Sequence, residues 1–160
     1  SAAYAVLAYR TGYLKAHHPH YFMASVLTSE RGNTDKIVKY INECRGMNIP
    51  ILPPDINVSD VNFTPTSEGI RIGLAAIKNV GAGAVAPIIE ARLRDGPFES
   101  IEQMCRVADL RGLNKKTLES LIMVGAFDEF GDRGALLEAI DRILIENPAR
   151  IVTFAGPKED

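Results

Sequence analysis

Apolar residues recur at α-helical spacing from the first positions of the chain. Pro19 ends the first predicted helix or begins the second, since a proline disfavours helix in the residue before it. The apolar face of the first helix consists of Tyr4, Leu7, Ala8, Thr11 and Leu14. The apolar face of the second predicted helix is shorter and consists of Tyr21, Phe22, Ser25, Val26 and Leu27.

A third helix is predicted after the break at residues 32–34. Either Asn33 or Thr34 can cap its N-terminus, because both side chains accept hydrogen bonds from free backbone amides. Its apolar stripe consists of Ile37, Ile41 and Cys44. The pattern therefore predicts a helical segment over residues 1–47.

The pattern changes at residues 46–56, where a glycine and three prolines exclude a regular helix. Beyond them, apolar residues alternate with polar residues on either side of a turn at residues 66–69, which is typical of a β-hairpin. This is the only strand signal in the sequence. The alternating apolar positions are Val61, Phe63, Ile70, Ile72 and Leu74.

Helical patterns return in the second half. Ser100 and Gln103 form a capping-box pattern, Asn114 precedes another apolar stripe, and Gly125 can end that helix in a left-handed conformation. Residues 147–160 lack helical spacing and are predicted to form an irregular tail. We therefore predict a mainly α fold with one small β-hairpin.

Composition narrows the functional classes. Lys and Arg number 18 against 20 Asp and Glu, a net charge of −2, which excludes nucleic-acid binding through bulk charge but not through a local basic patch. The charge is uneven, because residues 1–47 and 71–94 each carry +3 whereas residues 128–160 carry −4. A hydrophobic fraction of 46% excludes extensive disorder.

Membrane, disulfide and metal chemistry are all disfavoured. No apolar run reaches the roughly 18 residues that a membrane span needs. Cys44 and Cys105 lie far apart, which favours a reducing cytoplasm over a disulfide framework or a zinc site. A metal site at His17, His18 and His20 is disfavoured, because adjacent helical positions diverge by about 100° and a proline interrupts them. The opening lacks a signal peptide, and we expect the chain to be part of a longer protein.

The segment 74–89 places two glycines at the predicted start of a helix. We expect Gly81 and Gly83 to adopt positive φ and to leave the outer face of the turn without side chains. The amides of Gly81, Gly83 and Ala84 would then be free at a helix N-terminus, where oriented amides and the helix dipole bind phosphate. Lys78, one turn earlier, could add charge. Such binding contacts phosphates and not bases, so it is independent of sequence.

The same glycines are compatible with two other structures. A dinucleotide-binding fold is disfavoured, because Ala86 stands where a third glycine is needed and the preceding strand is short. A corner between two helices, in which the glycines only permit close packing, stays open.

A second unit of the same kind spans residues 114–144. Lys115 and Lys116 begin its first helix, but its turn has a single glycine and acidic neighbours at Asp128 and Glu129. We expect this turn to be structural and not to contact phosphate. Tyr4 could stack on bases, as could two later tyrosines, yet its place on the apolar stripe favours packing in the core.

Several short motifs follow one another between residues 1 and 145 without a large gap. They are SAAY at 1–4, HHP at 17–19, ILPPDIN at 51–57, GLAAIKNVGAG at 73–83, IIEAR at 88–92, GPF at 96–98 and GAFD at 125–128. In this order they resemble the C family of bacterial replicative DNA polymerases, the DNA polymerase III alpha subunits. Pro87, where the family has a small residue, and the tail segment 151–160 depart from the family pattern.

The resemblance implies a division of the chain into four parts. Residues 1–47 would be the C-terminal part of the polymerase fingers, 48–73 a proline-rich connector with the hairpin, 74–146 a tandem helix-hairpin-helix region, and 147–160 the tail. The chain would be a non-catalytic segment of a DNA-directed DNA polymerase that binds duplex primer–template DNA.

The resemblance also implies partners and cofactors. The parent enzyme would use deoxynucleoside triphosphates and Mg²⁺ held by palm aspartates that are missing from this chain, so this segment needs no cofactor or metal of its own. Other replicase subunits are expected partners, a membrane is not, and the location would be cytoplasmic. Ser1 and Tyr4 would face the nucleotide. The candidate DNA-contacting residues are Lys78, Val80, Gly81, Ala82, Gly83, Ala84, Lys115 and Lys116.

The rival hypothesis from another class is a freestanding helical interaction module. In that case the glycine turn would serve packing alone, and duplex DNA would not bind.

Overall fold

The computed structural model describes residues 2–146, apart from the side chain of Leu7. The described part has seven α-helices and one small sheet, which confirms the mainly α prediction. The predictions for Ser1, for the Leu7 side chain and for the tail at 147–160 lie outside the described residues. The α-helices are α1 (Ala2–His17), α2 (Pro19–Ser29), α3 (Thr34–Gly46), α4 (Ala82–Asp95), α5 (Ile101–Val107), α6 (Lys115–Met123) and α7 (Arg133–Glu146).

Local capping signals place the helix starts where the sequence predicts them. Pro19 is the first residue of α2. Asn33, and not Thr34, caps α3, because its side-chain oxygen accepts a hydrogen bond from the Lys36 amide at 3.2 Å. Ser100 caps α5 by accepting a hydrogen bond from the Gln103 amide at 3.0 Å.

The sheet has three strands, β1 (Ile51–Leu52), β2 (Thr64–Pro65) and β3 (Ile70–Arg71), in the order β1-β3-β2. The antiparallel pair β2–β3 confirms the predicted hairpin, with Pro65 opposite Ile70. The parallel strand β1 was missed, since two residues between prolines are too few to show an alternating pattern.

Buried apolar side chains form two clusters. The smaller joins α2 and α3 to the sheet, and its buried members are Met23, Ala24, Leu27, Cys44, Ile49, Phe63 and Ile70. The larger contains the buried residues of α4 to α7 together with Ile56 and Leu74. Residues 48–73 therefore contribute to both clusters. The Arg92 guanidinium holds this segment to α4 by donating to the carbonyls of Ile56 at 2.8 Å and Ser59 at 2.9 Å.

Two predicted apolar faces are not buried as expected. On α1, Ala8, Thr11 and Leu14 are exposed, and Tyr4 is 73% exposed, so the prediction that Tyr4 packs in the core is wrong. On α2, Tyr21 and Ser25 of the predicted apolar face are exposed, whereas Met23 and Ala24, which are not part of that face, are buried. Spacing identifies a helix, but the elements packed against the helix decide which face is covered.

Among residues 2–146, no helix combines the length and the apolar character that crossing a membrane requires. Within the same range, no three His, Cys, Asp or Glu side chains are grouped closely enough to hold a metal ion. His17 stacks against Tyr13 with ring centroids 4.2 Å apart, and His20 Nδ1 lies 2.8 Å from the Thr66 carbonyl oxygen.

Candidate nucleic-acid interface

The glycine segment begins on a short anchor and not on a full helix. Only residues Leu74–Ala76 form a 3₁₀ turn, and the buried side chains of Leu74, Ile77 and Val80 hold the following loop against the larger cluster. Val80, predicted to contact DNA, is 5% exposed. Its side chain therefore serves as an apolar anchor beneath the turn.

The positive φ lies at a different residue from the one predicted. Gly81 has φ −89° and caps α4, whereas Asn79 has φ +68°. Asparagine tolerates this left-handed region better than most residues, so the chain can turn before it reaches the glycines. The prediction that Gly81 and Gly83 provide positive φ is wrong.

The prediction of an open outer face is consistent with the structure. Gly81, Ala82 and Gly83 are all exposed. A Cβ atom built at Gly81 or Gly83 would meet no heavy atom within 4 Å apart from the adjacent residues and the neighbouring backbone of its own helix. A ligand can therefore approach the backbone here more closely than a side chain would allow.

Two helical amides at this end of α4 lack an acceptor among the described residues. Ala82 and Gly83 are the first two helical residues, and amides there have no partner within the helix. Gly81 has no side chain to cap them. The Ala84 amide donates to the Gly81 carbonyl at 3.1 Å, so the prediction that it is free is wrong. The arrangement is a helix N-terminus with unsatisfied donors facing solvent, which is suited to an anion.

The three predicted lysines differ in their charge environment. Within residues 2–146, Lys78 and Lys116 are exposed and have no ion-pair partner. Lys115 Nζ lies 2.7 Å from Asp141 and 3.7 Å from Glu119. Hydrogen bonding to Asp141 and the charge of that carboxylate raise the pKa of Lys115. The positive charge of Lys115 is thus offset within the chain, whereas those of Lys78 and Lys116 are available.

The second turn is closed. Gly125 has φ +89° and ends α6 in a Schellman motif, in which Ala126 donates to Leu121 and Gly125 to Ile122, both at 3.0 Å. A Cβ at Gly125 would lie 2.8 Å from Asp128 Oδ2 and from Arg133 Nη2, which form an ion pair over the turn. This turn therefore offers no open face like that of the first.

Contacts between distant residues hold the loop before α4 against α6, and the loop before α6 close to the first turn of α4, an arrangement that the sequence did not predict. The Thr117 hydroxyl donates to the Asn79 carbonyl at 3.0 Å. A Cβ at Gly112 would lie 3.4 Å from the Gly83 carbonyl oxygen. Asn114 gave a sequence signal as the cap of α6, but nothing in the sequence indicated that Thr117 also contacts a loop 38 residues away.

Most of the second half of the chain and part of the first half match a known protein-family model. Residues 48–136, more than half of its length, match the family model described as helix-hairpin-helix motif. The matched range includes Ile56, which packs in the larger cluster with the residues of α4 to α7.

Relatives match over most of the chain. It is 45% identical over 144 residues to DNA polymerase III subunit alpha of Thermus aquaticus, which is 90% of this chain and 12% of that protein. The corresponding protein of Escherichia coli strain K12 is 46% identical over 142 residues, or 88% of this chain and 12% of the relative. The chain therefore spans about 12% of the length of these curated relatives.

These matches confirm the resemblance that the ordered motifs indicated. The match to the family model covers the glycine turn, the open N-terminus of α4 and the closed turn after α6. The chain belongs to the helix-hairpin-helix family, and over about nine-tenths of its length it is similar to the alpha subunits of bacterial DNA polymerase III.

Proposed function

We propose that this chain binds the backbone of duplex DNA without sequence specificity, as a non-catalytic segment of a replicative DNA polymerase. The observation that carries the proposal is the exposed N-terminus of α4, where the amides of Ala82 and Gly83 lack acceptors among the described residues. The similarity to DNA polymerase III alpha subunits supports a duplex as the source of the phosphate.

Phosphate suits this site for two physical reasons. Helix N-termini carry about half a positive elementary charge from the aligned peptide dipoles, and their free amides point along the helix axis toward the ligand. The exposed Lys78 lies three residues before Gly81 and adds a full charge. Since the chain as a whole is slightly acidic, affinity has to come from this local group and not from net charge.

The parent activity is part of the same proposal. Such a polymerase would transfer nucleotidyl groups from deoxynucleoside triphosphates to a primer 3′-hydroxyl in the cytoplasm, together with other replicase subunits. Within residues 2–146 no three His, Cys, Asp or Glu side chains are grouped to hold a metal ion, and we assign the catalytic Mg²⁺ to another part of the parent polymerase. This chain would hold the duplex, and the exposed Tyr4 would lie toward the nucleotide. We expect no nucleotide incorporation by the 160 residues alone.

Fluorescence anisotropy with labelled duplexes of two unrelated sequences tests the proposal. Binding through phosphates releases counterions, so log affinity should fall linearly with log salt, with a slope of roughly −0.9 per phosphate contacted. We expect equal affinities for the two sequences and a slope between about −1 and −3. Absence of salt-dependent binding would favour the freestanding interaction module.

Lys116 and Lys115 provide a matched pair for a second prediction. Lys116→Ala should weaken duplex binding about threefold, because it removes an available charge. The slope of log affinity against log salt should also become less negative by about one. Lys115→Ala should change affinity less than twofold, since Asp141 already offsets that charge. The same salt series measures both variants. Equal losses in the two variants would contradict the assignment of free and paired lysines.

A further inference from the structure

Thr117 is a buried polar residue of α6. Among the described residues, only its side chain and that of Ser59 are both polar and buried. Thr117 is 4% exposed. Its amide donates to the Asn114 side chain at 2.8 Å, as expected for the first turn of a capped helix. Its hydroxyl lies 3.0 Å from both the Asn114 side-chain oxygen and the Asn79 carbonyl. A hydroxyl has one proton, so it donates to one of these two acceptors at a time.

The Asn79 carbonyl belongs to the residue at which the chain turns toward α4. Asn79 has φ +68°, and its side-chain amide donates to Ser120 Oγ at 3.3 Å. Two residues of α6 therefore hold the backbone and the side chain of a residue that lies two positions before Gly81. Gly112, three residues before α6, also lies close to the first turn of α4, since a Cβ built there would lie 3.4 Å from the Gly83 carbonyl oxygen.

We propose that Thr117 is a positioning residue for DNA binding, an inference that rests on the function proposed above. Through its hydroxyl it holds Asn79 in the left-handed conformation, and this sets the direction in which the Ala82 and Gly83 amides point. Thr117 itself is buried and does not contact the duplex. The N-terminus of α4 and the first turn of α6 consequently act as one rigid unit.

A set of three variants tests this role by duplex affinity and salt slope. Thr117→Val keeps the shape of the side chain but removes the hydroxyl. It should weaken duplex affinity about fivefold and make the slope of log affinity against log salt less negative by about one. Thr117→Ser keeps the hydroxyl and should retain affinity within about twofold. Ile140→Val trims a fully buried side chain of α7 far along the sequence and controls for loss of stability alone. It should leave affinity and slope at their wild-type values.

The outcomes separate the inference from the proposed function. If the unsubstituted chain binds the duplex and Thr117→Val has the same affinity and the same salt dependence, the positioning role is overturned and the proposed DNA binding is retained. If the unsubstituted chain shows no salt-dependent binding to duplex DNA, both the positioning role and the proposed function are overturned.

If Thr117→Val loses its helical circular dichroism, two substitutions of Asn79 test the positioning role instead. Asn79→Gly adopts φ +68° freely and should bind as the parent chain does, whereas Asn79→Val disfavours this conformation and should lower affinity and slope. Equal binding by the two Asn79 variants would overturn the inference.

Discussion

Leucine at both Gly81 and Gly83 is expected to weaken duplex binding at least about tenfold, and equally on unrelated sequences, because charge-assisted hydrogen bonds contribute about 1.5–3 kcal/mol each. Neither residue has positive φ, and neither Cβ would meet a heavy atom within 4 Å beyond the adjacent residues and the backbone of its own helix. The substitutions should therefore leave the fold unchanged while side chains cover the open amides of Ala82 and Gly83. Fluorescence anisotropy measures the affinity, and circular dichroism measures the retained helix.

Gly46→Leu is the matched control. Gly46 is the last residue of α3, is exposed, and likewise has open space where a Cβ would be. The Gly46→Leu variant should bind the duplex as tightly as the unsubstituted chain. If the double leucine variant stays folded and keeps full affinity, the amides of α4 do not hold the phosphate.

Phe127→Ala is expected to lower the free energy of unfolding by about 3–5 kcal/mol, the usual cost of emptying the space of a buried phenyl ring. Phe127 is fully buried in the larger cluster, and its ring centroid lies 6.0 Å from that of Phe130. It directly follows the Schellman turn, whose Ala126 carbonyl accepts a hydrogen bond from the Ile56 amide at 2.9 Å. The cavity would thus lie where α6 meets the connector. Urea unfolding should show a lower midpoint with an unchanged slope.

Leu93→Ala is the control for this loss. Leu93 lies on α4 but is 78% exposed, so its removal should change stability by less than about 0.5 kcal/mol. A loss below about 1 kcal/mol in Phe127→Ala would mean that the surrounding residues collapse into the space of the ring.

Helix boundaries were predictable because capping depends on residues within one turn of each other. Asn33, Ser100 and Asn114 each accept a hydrogen bond from the amide three residues ahead, and Gly125 supplies the left-handed stop after α6. The position of the hairpin was predictable for a similar reason, since alternation and turn residues are local signals.

Errors arose where the environment of a residue depends on which distant segments of the chain pack against it. The α1 stripe has regular helical spacing, yet Tyr4 is exposed because no described element covers that face. Likewise, asparagine tolerates positive φ, but two glycines closely follow Asn79 in the sequence and the local pattern could not show that Asn79 would adopt it. Its conformation is supported by Thr117 and Ser120, which lie on α6.

For this protein, the order of residues was enough to predict the helical class, the caps of α5 and α6, the hairpin and the similarity to a polymerase family. Each depends on short-range hydrogen bonding, on periodic spacing or on motif order. Packing between distant segments decided which candidate groups are available to an anion. It left the amides of Ala82 and Gly83 open, and it placed Asp141 of α7 beside Lys115. Those properties depend on which surfaces are brought into contact, because a neighbouring group satisfies a donor or offsets a charge only after the chain has folded.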